Sequence, residues 1–239
     1  MENNKSINLE MSAEALKALM KHEGYAGSPG ARLSEWNPEK IKTNSSGTVL
    51  RGRDKKGKHR GNPKNMKWGD SDYGAYFDSK GFLTTGHGHL ISKAAIGSNQ
   101  FWKDVDRHEK SMNVPDVMNL SKEEAAREFS KDARTHGSDK INRMITNKEG
   151  LNQELIDALS TEAFRGSIKA KHKTVKLINE GKFEEAASEY LDNAEYRNTR
   201  SSGIKERMND VAIALLNEAK KRKKQKQADF ISQLLNSGM

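Results

Sequence analysis

The spacing of apolar residues changes twice along this chain. Leu9, Leu16, Leu19 and Met20 recur at helical spacing, so Ile7 to His22 predicts an amphipathic helix. Ser12 stands where a helix start can be capped, and Gly24 follows where a helix commonly stops. Tyr25 to Gly74 shows little periodicity and is broken by glycines and by Pro29, Pro38 and Pro63. Tyr76 to Ile91 then reads as a β-hairpin. Ser79-Lys80-Gly81 is a short turn flanked by aromatic, β-branched and apolar residues. Helical spacing returns after it. One helix is expected around Gln100 to Lys110. A second follows the Ser121 and Glu124 capping box, with Ala125, Phe129 and Ala133 inward, running past Gly137 to Ile145. Further helices are expected at Leu151–Phe164, Ile168–Asn179, Phe183–Asn193 and Ile204–Lys220. The order of elements, a small β region before a run of helices, makes the fold class α+β.

Composition narrows the classes. The 239 residues are 33% hydrophobic and 31% charged, enough for a real core and too apolar for a disordered chain. No run approaches the length of a membrane span, and the first residues lack the basic and apolar regions of a secretory signal. Without cysteine there is no disulfide framework and no thiolate chemistry. The net charge of +9 favours an anionic partner. Residues 26–75 hold 11 Lys and Arg against 5 Asp and Glu, and Lys220 to Lys226 form another basic cluster. A solvated face or loop is the plain reading of either. The last segment, 221–239, is basic and then apolar, with Phe230, Ile231, Leu234 and Leu235, and is expected as a tail that docks on the body or on a partner.

Glu23 falls four residues after Leu19 and seven after Leu16, so it projects from the apolar face at the end of the first helix. Burial and the helix dipole both disfavour a charged carboxylate there, which is the condition of a general acid. A solvated helix end is the alternative. Asp78 enters the hairpin turn and Thr84 leaves it; alone, they read as a turn-capping aspartate and an ordinary strand threonine. Gly86 and Gly88 alternate with His87 and His89, a spacing that lets another backbone approach closely. The two histidines, two apart on a strand, share a face. No third ligand has suitable spacing, so they read as structural, with no metal and no cofactor expected.

Taken together, these residues resemble the phage-type lysozymes, glycoside hydrolase family 24. The resemblance rests on Leu19-Met20-Lys21-His22-Glu23-Gly24, Tyr76-Phe77-Asp78 with Gly81, and Thr84-Thr85-Gly86-His87-Gly88-His89-Leu90. It continues in order through Leu120-Ser121-Lys122-Glu123-Glu124-Ala125, Ala163-Phe164, Gly181 to Ala187 and Tyr196-Arg197-Asn198. It implies a two-lobed fold: a small β-hairpin lobe, a larger helical lobe holding the first helix, and an interlobe helix starting near Ser121. In domain terms it implies a catalytic domain over 1–220, interrupted at about 26–75, and a tail at 221–239. It also implies a muramidase that cleaves peptidoglycan between N-acetylmuramic acid and N-acetylglucosamine. Glu23 would be the acid, and Asp78 with Thr84 would hold the water. Tyr76, Leu90, Phe164, Arg165 and Thr174 would contact glycan, with Arg165 replacing an amide, and His89 would orient a carboxylate. The 54 residues between Glu23 and Asp78 far exceed the family's short loop.

Three function classes follow: an active muramidase, a wall-binding module with an altered cleft, and a basic nucleic-acid-binding protein. The last has no recognition motif. Expected partners are peptidoglycan, an anionic cell-surface polymer through 26–75, and phage tail proteins through the C-terminal segment. The expected setting is the host cytoplasm before release to the wall, or the tail of a virion.

Overall fold

The structure, a computed structural model, describes residues 7–23, 34–35, 66–67, 71–78, 82–94, 98–200 and 202–236. The chain divides into two compact units. Residues 17–132 form one, and residues 1–16 with 133–239 form the other.

The first unit holds the sheet. Five short strands, β1 (Ser34–Glu35), β2 (Met66–Lys67), β3 (Tyr76–Phe77), β4 (Leu83–Thr85) and β5 (His89–Ser92), pair in that order. The pair β1–β2 is parallel and the others are antiparallel. β3 and β4 are the expected hairpin, in the register Tyr76↔Thr84 and Phe77↔Leu83. Gly86 to Gly88 is a second turn, not a continuation of the strand. Gly86 (φ 55°) and Gly88 (φ 95°) both sit in the left-handed region, where a Cβ is strained. Gly86 also lies where a Cβ would come within 3.2 Å of Ala125 Cβ, so the close approach expected of the glycine spacing is met by a helix. Strands β1 and β2 lie within the stretch 26–75 and extend the sheet beyond the hairpin. The basic run Arg51 to Arg60, Trp36 and Trp68 lie outside the described residues.

Helix α2 (Asn99–Met112) is longer than its pattern suggested. Ser98 accepts from Phe101 N at one end, and Asn113 closes the other with φ 54°. Helix α3 (Lys122–Ala133) begins at the expected capping box. Ser121 Oγ accepts from Glu124 N, and Ser121 N donates to Glu124 Oε2 at 2.8 Å. The core of this unit gathers Leu83, Ile91, Phe101, Val105, Val117, Leu120 and Ala125.

The second unit is helical. A π-helical turn (Arg134–Ser138) links α3 to α4 (Asp139–Met144), so the helix does run past Gly137. A Cβ there would lie 2.9 Å from Ser160 O, which explains the glycine. Then come α5 (Gln153–Arg165), α6 (Lys173–Asn179), α7 (Phe183–Leu191), α8 (Ala194–Asn198) and α9 (Ser202–Asn236). Helix α6 starts five residues later than expected. Helix α9 continues through residue 221 to Asn236, so the segment expected as a tail is helical over its described residues. Leu155, Leu159, Ile178, Phe183, Met208 and Leu215 anchor the core.

Helix α1 (Ala13–Glu23) starts six residues later than its pattern. Side chains take the backbone donors upstream: Asn142 accepts from Leu9 N, Ser138 from Met11 N and Asp157 from Ser12 N. A residue whose N–H is held that way cannot enter the helical ladder. Ser12 caps the start as expected, its Oγ accepting from Ala15 N at 3.1 Å.

Candidate active site

The hairpin sets Asp78 by its own backbone. Asp78 N donates to Phe82 O, and Asp78 Oδ1 accepts from Phe82 N, both at 2.9 Å. The turn-capping reading of Asp78 holds, and the bonds that close the turn also fix the carboxylate. Opposite residues on antiparallel strands project to the same face. Tyr76 pairs with Thr84, and Thr84 with Leu90, so these three form one row across β3, β4 and β5. Thr84 is buried and donates from Oγ1 to Phe82 O at 3.2 Å, while Leu90 is exposed.

Glu23 closes α1 and is exposed, not buried on an apolar face as its spacing suggested. Its half of α1 belongs to the sheet-bearing unit, where the resemblance implied the helical one. Its influence is visible on Tyr76. Burial first, then the negative charges of Asp78 and Glu23, push the Tyr76 hydroxyl up to about 12. Two carboxylates thus bear on one phenol that stays protonated across the physiological range.

His89 does meet a carboxylate, that of Asp132 on α3. Its Nδ1 lies 2.6 Å from Asp132 Oδ2, and its Nε2 lies 3.0 Å from His108 Nδ1 on α2. Burial, then His89 and Arg107, push His108 down to about 4. His108 Nε2 faces Arg107 Nη2 at 3.4 Å. Arg107, His108, His89 and Asp132 thus form one chain of contacts. Beyond it, burial raises Asp104, but bonds from Ser92 and Gln100 and the charge of Arg107 outweigh that and hold it below the ordinary carboxylate range. The sequence marked His89 but neither partner, which lie 19 and 43 residues away and carry no local signal. His87 lies in the turn, its ring 5.7 Å from Tyr73 and 5.6 Å from Phe129. Among the described residues no group of three His, Asp or Glu side chains is placed to hold a metal ion.

Phe164 and Arg165 end α5, and Thr174 lies buried in the first turn of α6. All three belong to the helical unit, and the row on the sheet belongs to the other. Beside Thr174, Lys173 pairs with Glu189 at 2.7 Å, so the carboxylate at 189 is held by a local cation.

A sequence model of phage lysozyme matches residues 67–210, more than half of the chain. The chain belongs to the phage lysozyme family. The match takes in Tyr76, Asp78, Thr84, Leu90, Phe164, Arg165 and Thr174, but begins after Glu23. Among solved structures, a crystal structure of a P22 lysozyme mutant is similar at 16% identity and a TM-score of 0.44, covering 87% of this chain and 98% of that one. No curated protein matches.

Proposed function

We propose that the protein is a peptidoglycan muramidase, hydrolysing the bond between N-acetylmuramic acid and N-acetylglucosamine. The observation that carries the reading is the match to the phage lysozyme family over residues 67–210, which takes in Asp78 and Thr84. The charges of Asp78 and Glu23 both bear on Tyr76, which supports grouping a carboxylate inside the match with an acid outside it. In this reading Glu23 protonates the departing glycosidic oxygen. Asp78 accepts a proton from water as that water attacks the anomeric carbon from the opposite face. One proton leaves Glu23 and one arrives at Asp78, so the pair resets through solvent. Thr84 donates to Phe82 O, and its oxygen is offered as acceptor to that water. Tyr76, still protonated, donates a hydrogen bond and adds no third negative charge. Leu90, exposed on the same row, offers apolar contact to a sugar face. Residues 26–75, rich in Lys and Arg, supply attraction to an anionic polymer of the cell surface.

The test is mass spectrometry of purified peptidoglycan after incubation and borohydride reduction. Muropeptides with reduced muramic-acid ends are expected. Anhydro-muropeptides would replace hydrolysis with a lytic transglycosylase reaction. Sedimentation with the wall without soluble products would make the chain a wall-binding module.

A further inference from the structure

Helix α9 has two apolar faces. Met208, Val211 and Leu215 lie on one, buried in the core. Ile213, Leu216, Phe230, Ile231, Leu234 and Leu235 lie elsewhere, and all six are exposed. At 3.6 residues per turn these six fall within an arc of roughly 140°, on the side away from the buried face. The arc runs about 33 Å along the helix, from Ile213 to Leu235.

The middle of the arc is basic. Lys220 and Lys224 project along it between the two apolar groups. They have no ion pair or hydrogen-bond partner among the described residues. Their neighbours hold the helix down instead. Lys221 reaches Gly150 O, and Arg222 pairs with Glu218 at 2.7 Å and lies over the Phe183 ring. The opposite side of the last turns is polar, with Gln225 donating to Asp229. An exposed apolar and cationic face is therefore presented by a helix that is fixed to the body as far as Lys223 and is exposed on all sides beyond it.

The chemistry selects the occupant. A second copy packed in register on this face, parallel or antiparallel, would bring lysines against lysines. A nucleic acid would use the charge and leave Phe230, Leu234 and Leu235 without a role. No helix among the described residues is long and apolar enough to cross a membrane. A helix that is apolar along one face, with lysines whose stems can lie along the bilayer and whose ammonium groups reach phosphates, suits the surface of an anionic bilayer. We propose that this face of α9 docks on anionic phospholipid, with Phe230, Ile231, Leu234 and Leu235 at the boundary of headgroups and acyl chains. The proposal does not depend on the muramidase reading.

Co-sedimentation of the full chain with vesicles tests it. Binding is expected to vesicles of phosphatidylglycerol and phosphatidylethanolamine, weakening as salt rises, and not to pure phosphatidylcholine. Each lysine at such a surface is worth on the order of fivefold in partition, so Lys220→Gln with Lys224→Gln should cost roughly twentyfold. Phe230→Ser with Leu234→Ser should cost at least about tenfold, with thermal midpoint and wall activity unchanged because both residues are exposed. The proposal fails if either pair of substitutions leaves vesicle binding intact. It fails equally if Phe230→Ser with Leu234→Ser converts a dimer to a monomer in sedimentation velocity. Duplex DNA bound more tightly than vesicles, and indifferent to that pair, would also overturn it.

Discussion

Glu23 bears on the proposed reaction, and His108 on stability. Glu23 is exposed at the end of a helix, so its replacement disturbs little packing. Glu23→Gln keeps the shape and removes the proposed proton donor. Turnover of peptidoglycan should fall by about 10²–10⁴-fold, read as new reducing ends, with the thermal midpoint unchanged. Retained turnover would remove Glu23 from the mechanism. His108 bears on stability. Its pKa is about 4 in the fold against an ordinary 6.5, so the unfolded chain binds the proton more tightly. The associated stability is fully present above pH 6.5 and is lost as pH falls towards 4. A shift of this size corresponds to about 3 kcal/mol, and half-exposure discounts it to roughly 1–2 kcal/mol. Denaturant titration of wild type and His108→Gln between pH 7 and 4 should show a shallower acid decline in the variant. Parallel curves would count against a depressed His108 in the fold.

Elements in this chain start and stop where side chains replace missing backbone partners. The Ser121 capping box was legible in the sequence because both partners lie within one turn. Ser121→Ala should cost about 1 kcal/mol, measured by chemical denaturation, with most of the loss restored by Asp at the same position. The start of α1 was not legible. Asn142, Ser138 and Asp157 hold the backbone before it, and each lies over a hundred residues away in the chain. Helical spacing from Leu9 onward fitted a longer helix, but tertiary hydrogen bonds claimed its first turn. The Gly86 to Gly88 turn was hidden for a different reason. Alternating Gly and His reads as a strand, and only the positive φ at both glycines shows that the chain turns. The hairpin itself was legible, and with it Asp78 and the row of Tyr76, Thr84 and Leu90, because turn chemistry and a period of two are local.

At the scale of the whole molecule, polar groups tie the helices together from inside. Glu162 on α5 is fully buried, accepts from Tyr190 Oη on α7 at 2.5 Å, and pairs with Arg207 on α9 at 2.7 Å. The contact between Arg207 Nε and Glu162 Oε1 is an ion pair rather than an aligned hydrogen bond. Burial and the Glu162 carboxylate push Tyr190 well above its ordinary range, so it remains a donor. Arg207→Met would leave a buried carboxylate with its tyrosine alone. A loss of about 3–5 kcal/mol is expected by urea denaturation. Adding Glu162→Leu to that variant should recover much of the loss, since an apolar pair avoids the desolvation of both charges. Equal losses for single and double variants would mean that the pair contributes shape rather than charge.

By itself the sequence determined the class of fold, the family and the residues of the sheet row. Periodicity, turn chemistry and capping are short-range properties, set by neighbours within about four positions. Tertiary structure decided which carboxylates share a tyrosine, that His89 answers to Asp132 and His108, and that residues beyond 221 prolong a helix. Each of these depends on groups brought together from distant parts of the chain, or on which face of a helix the body leaves uncovered. Chain-local patterns carry no record of either.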